Sequence, residues 1–287
     1  MRKILITGSN GQLARCIADA AVRFPQFAFT FLDKSELDIT DAAAVGAYFR
    51  GNSYYACINT AAYTNVEKAE SEPERAYAVN AEGVRNLAVN CAEYDVLLLH
   101  VSTDYVFDGR KKVSYVETDA TNPLNVYGAS KLKGEKYVTE SGARHYIVRT
   151  SWLYSQYGHN FYNTIVKHAS AGRDLTITTE QTGTPTNAND LAQALLQIVQ
   201  DESADYGVYH FSNEGSATWY DFANAILDAH PQFKEVTLAK TSHYPTFAAR
   251  PKNSVLETDK IKRPFKIAPL NWEESLRMLI NSTYGKE

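Results

Sequence analysis

Tyr127 and Lys131 are the side chains whose chemistry can be assigned most directly. They stand four residues apart on a predicted helix and therefore share one face. A free tyrosine has a pKa of about 10, and a nearby ammonium group is expected to lower that pKa and make the phenol a better acid. Thr103 follows the apolar segment of residues 97–101, so its hydroxyl is expected at the carboxyl end of a buried strand, where open α/β sheets bind ligands. The three residues predict proton donation to a carbonyl oxygen during hydride transfer, although a tyrosine–lysine pair alone is also common on solvated helices.

A second group of residues is suited to binding a phosphate. After the apolar segment of residues 3–7, the chain continues as Gly8-Ser9-Asn10-Gly11-Gln12-Leu13-Ala14. Gly8 permits a tight turn, Gly11 lets backbone N–H groups approach a pyrophosphate, and the following helix directs the positive end of its dipole at it. Asp33 suits an adenosine ribose, whereas Lys34 suits a 2′-phosphate, so NADH and NADPH both remain open. A tight strand–helix turn without a ligand is the structural alternative.

Short apolar segments alternate with helical patterns in the first half of the chain, which predicts a parallel sheet with crossover helices. The predicted strands are residues 3–7, 28–32, 56–59, 96–102 and 146–151. The predicted helices are residues 12–24, 42–50, 73–91, 127–140, 160–171, 219–229 and 272–280, with a further one that includes Leu191, Leu195 and Val199. We therefore expect an α/β protein with a Rossmann-type doubly wound parallel sheet and a smaller C-terminal substrate-binding domain.

The expected domains divide near residue 152. Residues 1–152 are predicted to form the NAD(P)-binding domain, and elements near 174–212 are expected to return to it. Residues 153–287 are predicted to form mainly the substrate-binding domain. The later part of the chain is dense in Pro, Thr and Tyr and has no internal repeat.

Composition excludes several classes of protein. The chain has 287 residues, of which 44% are hydrophobic and 22% charged, with a net charge of −4. These values are typical of an ordinary globular protein and argue against nucleic acid as the main partner. The three cysteines have neither disulfide nor zinc-site spacing, which predicts reduced thiols and no metal. Residues 4–6 are too short for a signal-peptide core, and no segment approaches membrane length, so a cytoplasmic location is expected.

Several longer motifs carry a resemblance that covers most of the chain. They are Gly8-x-x-Gly11-Gln12-Leu13, Leu37-Asp38-Ile39-Thr40, Ile58-Asn59-Thr60-Ala61-Ala62-Tyr63-Thr64-Asn65-Val66, Ser102-Thr103-Asp104-Tyr105-Val106-Phe107-Asp108-Gly109, Pro123-Leu124-Asn125-Val126-Tyr127-Gly128-x-Ser130-Lys131, Arg149-Thr150-Ser151-Trp152, Thr182-Gly183-Thr184-Pro185-Thr186 and Arg250-Pro251-x-Asn253-Ser254. On these residues the chain resembles the extended short-chain dehydrogenase/reductases and, among them, the dTDP-4-dehydrorhamnose reductases. The segments 61–66 and 102–109 are far more specific than the glycine turn.

The resemblance implies a set of site residues. It implies catalysis by Thr103, Tyr127 and Lys131. The residues implied to bind NADPH or NADH are Gly8, Asn10, Gly11, Gln12, Leu13, Asp38, Ile39, Ala61, Ala62, Tyr63, Tyr127 and Lys131. The residues implied to bind the substrate are Thr103, Asp104, Tyr105, Trp152 and Arg250, with Arg250 suited to the diphosphate. Taken alone, Trp152 is equally compatible with core packing, and Arg250 with an ordinary surface charge.

The implied reaction is reduction of the C4 keto group of dTDP-4-dehydro-L-rhamnose to dTDP-L-rhamnose, by a monomer or homodimer without a membrane or nucleic-acid partner. Some relatives hold magnesium at a dimer contact through glutamates, but the helix here reads Ala14-Arg15-Cys16, so magnesium is doubtful. Nucleotide-sugar dehydratases and epimerases of the same superfamily are one alternative, yet dehydratases carry Thr-Asp-Glu where this chain has Thr103-Asp104-Tyr105. The other alternative is a cofactor-binding regulatory subunit without catalysis, like that of methionine adenosyltransferase.

Overall fold

The computed structural model describes residues 1–201 and 203–284, and in them the chain forms twelve strands and eleven α-helices. The strands are β1 (Arg2–Thr7), β2 (Phe27–Leu32), β3 (Ala56–Asn59), β4 (Leu97–Thr103), β5 (His145–Thr150), β6 (Leu153–Tyr154), β7 (Leu175–Thr178), β8 (Thr182–Gly183), β9 (Thr186–Asn187), β10 (Gly207–His210), β11 (Ala217–Thr218) and β12 (Leu238–Thr241). The helices are α1 (Gln12–Ala21), α2 (Ala42–Gly51), α3 (Val66–Ser71), α4 (Pro73–Tyr77), α5 (Gly83–Glu93), α6 (Val126–Glu140), α7 (Phe161–Ser170), α8 (Ala188–Asp201), α9 (Trp219–Asp228), α10 (Asp259–Phe265) and α11 (Trp272–Tyr284). A π-helical turn, Ala78–Glu82, joins α4 to α5, and 3₁₀ turns occupy Asp104–Val106 and Pro231–Phe233.

Six parallel strands form the main sheet in the order β2-β1-β3-β4-β5-β10. The chain first moves outward from β1 to β2 and then crosses to the other side of β1 to add β3. At such a reversal a crevice opens outside the carboxyl ends of the two central strands, here β1 and β3. The glycine turn follows β1, so it lies at this crevice.

Both faces of the sheet are covered, as parallel sheets require. Side chains alternate between the faces along each strand, so Ile4 and Ile6 of β1 pack with α1 and α8. Leu5 between them packs on the opposite face with α2 and α5. These two apolar clusters hold the strands in place and therefore set the positions of the residues that follow the strand ends.

A third apolar cluster lies outside the main sheet. It joins α7, α9 and α11 with β6 and β7 through side chains such as Tyr162, Phe222 and Leu276. β7 pairs in parallel with β12, and β6 pairs with β9. This cluster supports segments of the second half of the chain, which lie at the carboxyl edge of the sheet.

The α/β fold and the doubly wound parallel sheet expected from the sequence are confirmed. The five predicted strands are found with ends shifted by no more than one residue. The predicted helix over 73–91 is interrupted by the π-helical turn, and α3 and α10 were not predicted. Among the described residues, none of the helices combines the length and apolar character that crossing a membrane requires.

The late elements near 174–212 join two different parts of the molecule. β10 extends the main sheet next to β5, and α8 packs on α1, whereas β7 pairs with β12. The division into domains of residues 1–152 and 153–287 stays a prediction. Residues 202 and 285–287 of those ranges lie outside the described part of the chain.

Candidate active site

The glycine turn and the segment after β3 form a close-fitting cradle. Gly8 has a φ of +74°, and a Cβ there would lie 2.7 Å from the Cα of Ala61. The N–H of Gly11 donates to the carbonyl of Gly8 at 2.9 Å and closes the turn. Gly11 is also the N-cap of α1, and without a side chain it leaves the first N–H groups of the helix available to an anion. The cradle therefore fits the pyrophosphate of a dinucleotide.

The other predicted residues of the turn point in different directions. Asn10 donates to Asp33 at 2.9 Å and joins the turn to the end of β2. Gln12 accepts from Ser155 and Asn160 at 3.2 and 3.1 Å, so its side chain connects the turn to the second half of the chain. Leu13 is buried in the core, so only its backbone can face a cofactor.

Asp38 and Ile39 lie between β2 and α2. Asp38 accepts from the backbone N–H and hydroxyl of Thr40 at 3.0 and 2.8 Å. Burial opposes ionisation of Asp38, but these hydrogen bonds outweigh it and lower its pKa. Ile39 is buried against Gly83, where a Cβ would lie 2.7 Å from the Ile39 Cγ1 atom. The packing of Ile39 thus holds this loop against the start of α5.

The segment of Ala61, Ala62 and Tyr63 is anchored by the π-helical turn. Asn80, fully buried in that turn, accepts from the N–H of Tyr63 at 2.8 Å and donates to its carbonyl at 3.0 Å. The same side chain donates to Ser130 of α6 at 3.0 Å. A π-turn shifts a side chain relative to regular helical spacing, so the turn places Asn80 where it joins the predicted cofactor segment to the helix that carries Tyr127 and Lys131.

Thr103, Asp104, Tyr105 and Tyr127 come together at the carboxyl end of β4. Thr103 is the last residue of that strand, and its hydroxyl donates to Asp104 at 3.1 Å. The Tyr105 and Tyr127 rings meet edge to face with centroids 5.8 Å apart. Burial raises the pKa of Tyr127 to about 12, against a hydrogen bond with Thr103 that lowers it. Burial also raises the pKa of Asp104 to about 7, and its Oδ2 atom is buried without a hydrogen-bond partner among the described residues.

The expected lowering of the Tyr127 pKa by Lys131 is wrong for this structure. Lys131 is buried, and its ammonium group donates to the carbonyl of Val101 at 2.6 Å. Burial lowers the pKa of Lys131 to about 8, although the nearby Glu135 carboxylate favours its charge. The phenol of Tyr127 is itself buried, so desolvation outweighs any help from the ammonium group. Tyr127 therefore stays protonated at neutral pH, as a proton donor must.

A buried hydrogen-bond chain runs from the cofactor segment to His100, which lies beside Lys131. The Ala61 N–H and the Thr7 hydroxyl both donate to Asn59 Oδ1, at 3.2 and 2.7 Å. This orientation directs the Asn59 NH₂ group at His100 Nδ1, 3.1 Å away, so Nδ1 accepts and the proton of the imidazole resides on Nε2. His100 Nε2 lies 3.4 Å from Lys131 Nζ, and because both groups carry protons, this approach is not a hydrogen bond while Lys131 is charged. Burial and the Lys131 charge lower the pKa of His100 far below its usual value, which keeps it neutral.

A buried ion pair supports the same helix one turn further on. Arg149 of β5 donates to both oxygens of Glu135, at 3.0 and 2.7 Å, and Ser102 donates to Glu135 at 2.5 Å. Ser102 precedes Thr103, and Glu135 lies four residues after Lys131 on α6. The pair therefore ties Thr103, and the helix that carries Tyr127 and Lys131, to the sheet. These three residues form the candidate catalytic group.

Trp152 is held by a stacked partner. Its ring lies 3.5 Å from that of Trp219, centroid to centroid, with an angle of 5°. A Cβ at Gly183 would lie 2.6 Å from the ring. Trp152 has a φ of +45°, a backbone conformation that is costly for a bulky residue and is found at functional sites.

Arg250 lies beside Tyr105 and α3. Its Nη2 donates to Glu67 at 2.7 Å, and Tyr105 contributes to raising its pKa against burial. The structure thus brings Arg250 to the same edge as Thr103 and Tyr127.

The residues near the glycine turn do not fit a magnesium site. Within the described ranges, no three His, Cys, Asp or Glu side chains approach one another as ligands would. The first turns of α1 present Arg15, whose guanidinium stacks over the Tyr157 ring at 3.8 Å. A cation on this face would meet a positive side chain.

Sequence reasoning missed Asn59, His100, Asn80 and Glu67. Asn59 ends one otherwise apolar strand and His100 interrupts another, and a polar residue in such a strand is a signal of a buried hydrogen-bond partner. No comparable signal marks Asn80 or Glu67, whose positions depend on the π-helical turn and on the unpredicted α3.

The sequence and the fold were compared with those of known proteins. The family model described as RmlD substrate binding domain matches residues 1–284. The dTDP-4-dehydrorhamnose reductase of Aggregatibacter actinomycetemcomitans is 42% identical, covering 96% of this chain and 98% of that protein. That of Sinorhizobium fredii is 40% identical, covering 97% and 96%. The crystal structure of the Bacillus anthracis dTDP-4-dehydrorhamnose reductase in complex with NADP has a TM-score of 0.93 and 34% identity, covering 98% of this chain and 100% of that one. The chain belongs to the family of dTDP-4-dehydrorhamnose reductases, represented by the RmlD substrate binding domain model.

Proposed function

We propose that the chain reduces the C4 keto group of dTDP-4-dehydro-L-rhamnose to give dTDP-L-rhamnose, with NADPH or NADH as the reductant. The observation that carries the proposal is the hydrogen bond between Thr103 and Tyr127 at the carboxyl end of β4, with Lys131 of the same helix bound to the carbonyl of Val101 in that strand. Family membership and the NADP complex of the Bacillus anthracis protein support the same activity and cofactor.

The chain's own residues have distinct roles in this proposal. The cradle of Gly8, Gly11 and Ala61 would hold the dinucleotide, and Lys131 would bind its ribose hydroxyls. When bound, the reduced nicotinamide supplies the hydride that reaches C4 of the sugar. Tyr127 donates its phenolic proton to the alkoxide oxygen that forms, and Thr103 hydrogen-bonds the same oxygen as its charge develops.

The substrate residues would lie on two sides of the reacting carbonyl. Asp104 offers its unpartnered Oδ2 to a sugar hydroxyl, and Trp152 offers a ring held in place by Trp219. Tyr105 would line the sugar pocket, and Arg250 would meet the diphosphate. Tyr105 stands where dehydratases carry a glutamate, and its buried phenol offers no carboxylate to assist the elimination of water, which disfavours a dehydratase.

Absorbance of the reduced nicotinamide tests the proposal directly. Wild-type protein mixed with dTDP-4-dehydro-L-rhamnose should oxidise NADPH, NADH or both, and Tyr127→Phe should reduce the rate about 10²- to 10⁴-fold. Tyr137→Phe is the matched control, because Tyr137 lies on the same helix and bonds Glu82 away from the site. Cofactor binding without oxidation by the wild type would contradict the proposal and favour the cofactor-binding regulatory subunit.

A further inference from the structure

Two carboxylates of α3 hold parts of the site that are distant in sequence. Glu67 and Glu70 are three residues apart on this helix and share a face. Glu67 Oε1 accepts from Arg250 Nη2 at 2.7 Å. Its Oε2 accepts from the backbone N–H groups of Phe247 and Ala248, at 2.8 and 3.1 Å. Three donors from residues 247–250 therefore converge on one side chain.

The same segment is tied to the start of the helix that carries Tyr127. Asn125, the N-cap of α6, donates to the carbonyl of Ala249 at 2.8 Å. Glu70 accepts from the N–H of Val126 at 2.7 Å. Hydrogen bonds thus link α3, residues 247–250 and the first turn of α6 pairwise, which sets Arg250 relative to Tyr127.

Arg250 retains donors that Glu67 does not use. Its Nε is buried and has no hydrogen-bond partner among the described residues. A guanidinium group has five N–H donors in a fixed plane, so the bond from Nη2 to Glu67 fixes the direction of the remaining donors. The Arg250 side chain is 25% exposed, so other donors of the group can meet a phosphate oxygen, which is a fitting acceptor.

We propose that Glu67 is a positioning residue that, together with residues 247–250, orients Arg250 so that the N–H donors not bound to Glu67 receive the diphosphate of the sugar nucleotide. The inference rests on the proposed function, since that function supplies the diphosphate. Burial disfavours the charge of Glu67, but its hydrogen bonds with Arg250, Ala248 and Phe247 outweigh this and lower its pKa. Glu67 therefore remains an anion at neutral pH and keeps Arg250 oriented before substrate arrives.

Steady-state kinetics of Glu67→Gln tests the inference. This isosteric change keeps an acceptor for the backbone but removes the charge that holds Arg250. We expect the KM for the sugar nucleotide to rise about tenfold, the equivalent of one charge-assisted hydrogen bond, with kcat and the KM for NADPH changed less than about twofold. Glu74→Gln, an exposed carboxylate on the neighbouring α4, should leave all three constants unchanged.

A double-mutant cycle shows whether Glu67 acts through Arg250. If it does, Glu67→Gln should alter the KM less than about twofold when Arg250 is already glutamine, because coupled residues are not additive. A full tenfold effect in the Arg250→Gln background would overturn the inference, as would a lower KM in Glu67→Gln, which would show that Glu67 competes with the diphosphate.

Calorimetric binding of dTDP separates this inference from the proposed reaction. Affinity for dTDP should fall in Glu67→Gln and in Arg250→Gln, in the pattern expected for the KM, even if the keto sugar is not reduced. Absence of reduction by a wild type that binds dTDP would contradict the proposed function alone. Unchanged dTDP affinity in both variants would contradict this inference alone.

Discussion

Replacing Lys131 with methionine is expected to stabilise the protein at neutral pH while disabling the candidate catalytic group. Lys131 is 2% exposed, and burial lowers its pKa from 10.5 to about 8. Below pH 8 the folded state holds an ammonium group that is better solvated in the unfolded chain. Each unit of pKa shift corresponds to about 1.4 kcal/mol, so the charge destabilises the fold by about 3 kcal/mol at pH 7.

The pH dependence follows from which state binds more protons. Between pH 8 and 10.5 the unfolded chain keeps the lysine proton while the folded protein loses it, so wild-type stability rises with pH. The penalty falls to about 1 kcal/mol at pH 9.5, and the stability advantage of Lys131→Met should therefore shrink by about 2 kcal/mol from pH 7 to 9.5. The lost hydrogen bond to Val101 contributes similarly at both pH values and cancels from this difference.

Urea unfolding at the two pH values measures this difference. Tryptophan fluorescence can follow the wild type, Lys131→Met and Lys136→Met, the last being an exposed lysine on the same helix. Lys136→Met should differ from the wild type by a constant amount at both pH values. A constant or growing advantage of Lys131→Met at the higher pH would refute the argument that Lys131 is held at a desolvation cost.

Three further predictions concern other parts of the site. Gly8→Ala should weaken NADPH binding at least about tenfold because its Cβ would collide with Ala61. The control is Gly142→Ala, where φ is also positive, at +77°, but the space around a Cβ is open. That variant should lower stability by about 1 kcal/mol and leave the affinity for NADPH unchanged. Arg149→Met should lower the free energy of unfolding, measured with urea, by about 3–5 kcal/mol because it leaves Glu135 buried and unpaired. Adding Glu135→Leu to this variant should restore much of the lost stability. Losses of stability that simply add in the double variant would contradict this account. The stability of Asp104→Asn relative to the wild type should increase by about 2–3 kcal/mol from pH 5 to pH 8. The folded state binds the Asp104 proton up to a pKa of about 7, so wild-type stability falls as pH rises through that range. A difference in stability that does not depend on pH would contradict this.

The strands and the placement of Tyr127 and Lys131 were predictable because they depend on local sequence. Continuous apolar segments bounded by turns identify buried strands, and a spacing of four on a helix sets two side chains on one face. The glycine turn was equally predictable, since Gly8 meets a steric need that the flanking strand and helix already imply.

Other features depend on contacts between distant segments. α3 has six residues, too few for a periodic pattern, and its Glu67 acquires a role only when residues 247–250 fold against it. The π-helical turn at Asn80 breaks the regular period on which helix prediction relies. The pKa of Tyr127 was expected to fall because Lys131 is near in sequence, but its actual direction depends on burial by the whole fold.

Transfer of a deuterium label tests the central claim most directly. The protein would be incubated with dTDP-4-dehydro-L-rhamnose and NADPH deuterated on the transferred position of nicotinamide C4, and the product would be analysed by NMR. The account predicts dTDP-L-rhamnose with deuterium at C4 of the sugar, formed about 10²- to 10⁴-fold more slowly by Tyr127→Phe. Deuterium at another carbon, or unlabelled product, would contradict the assignment of this site as a C4 keto reductase.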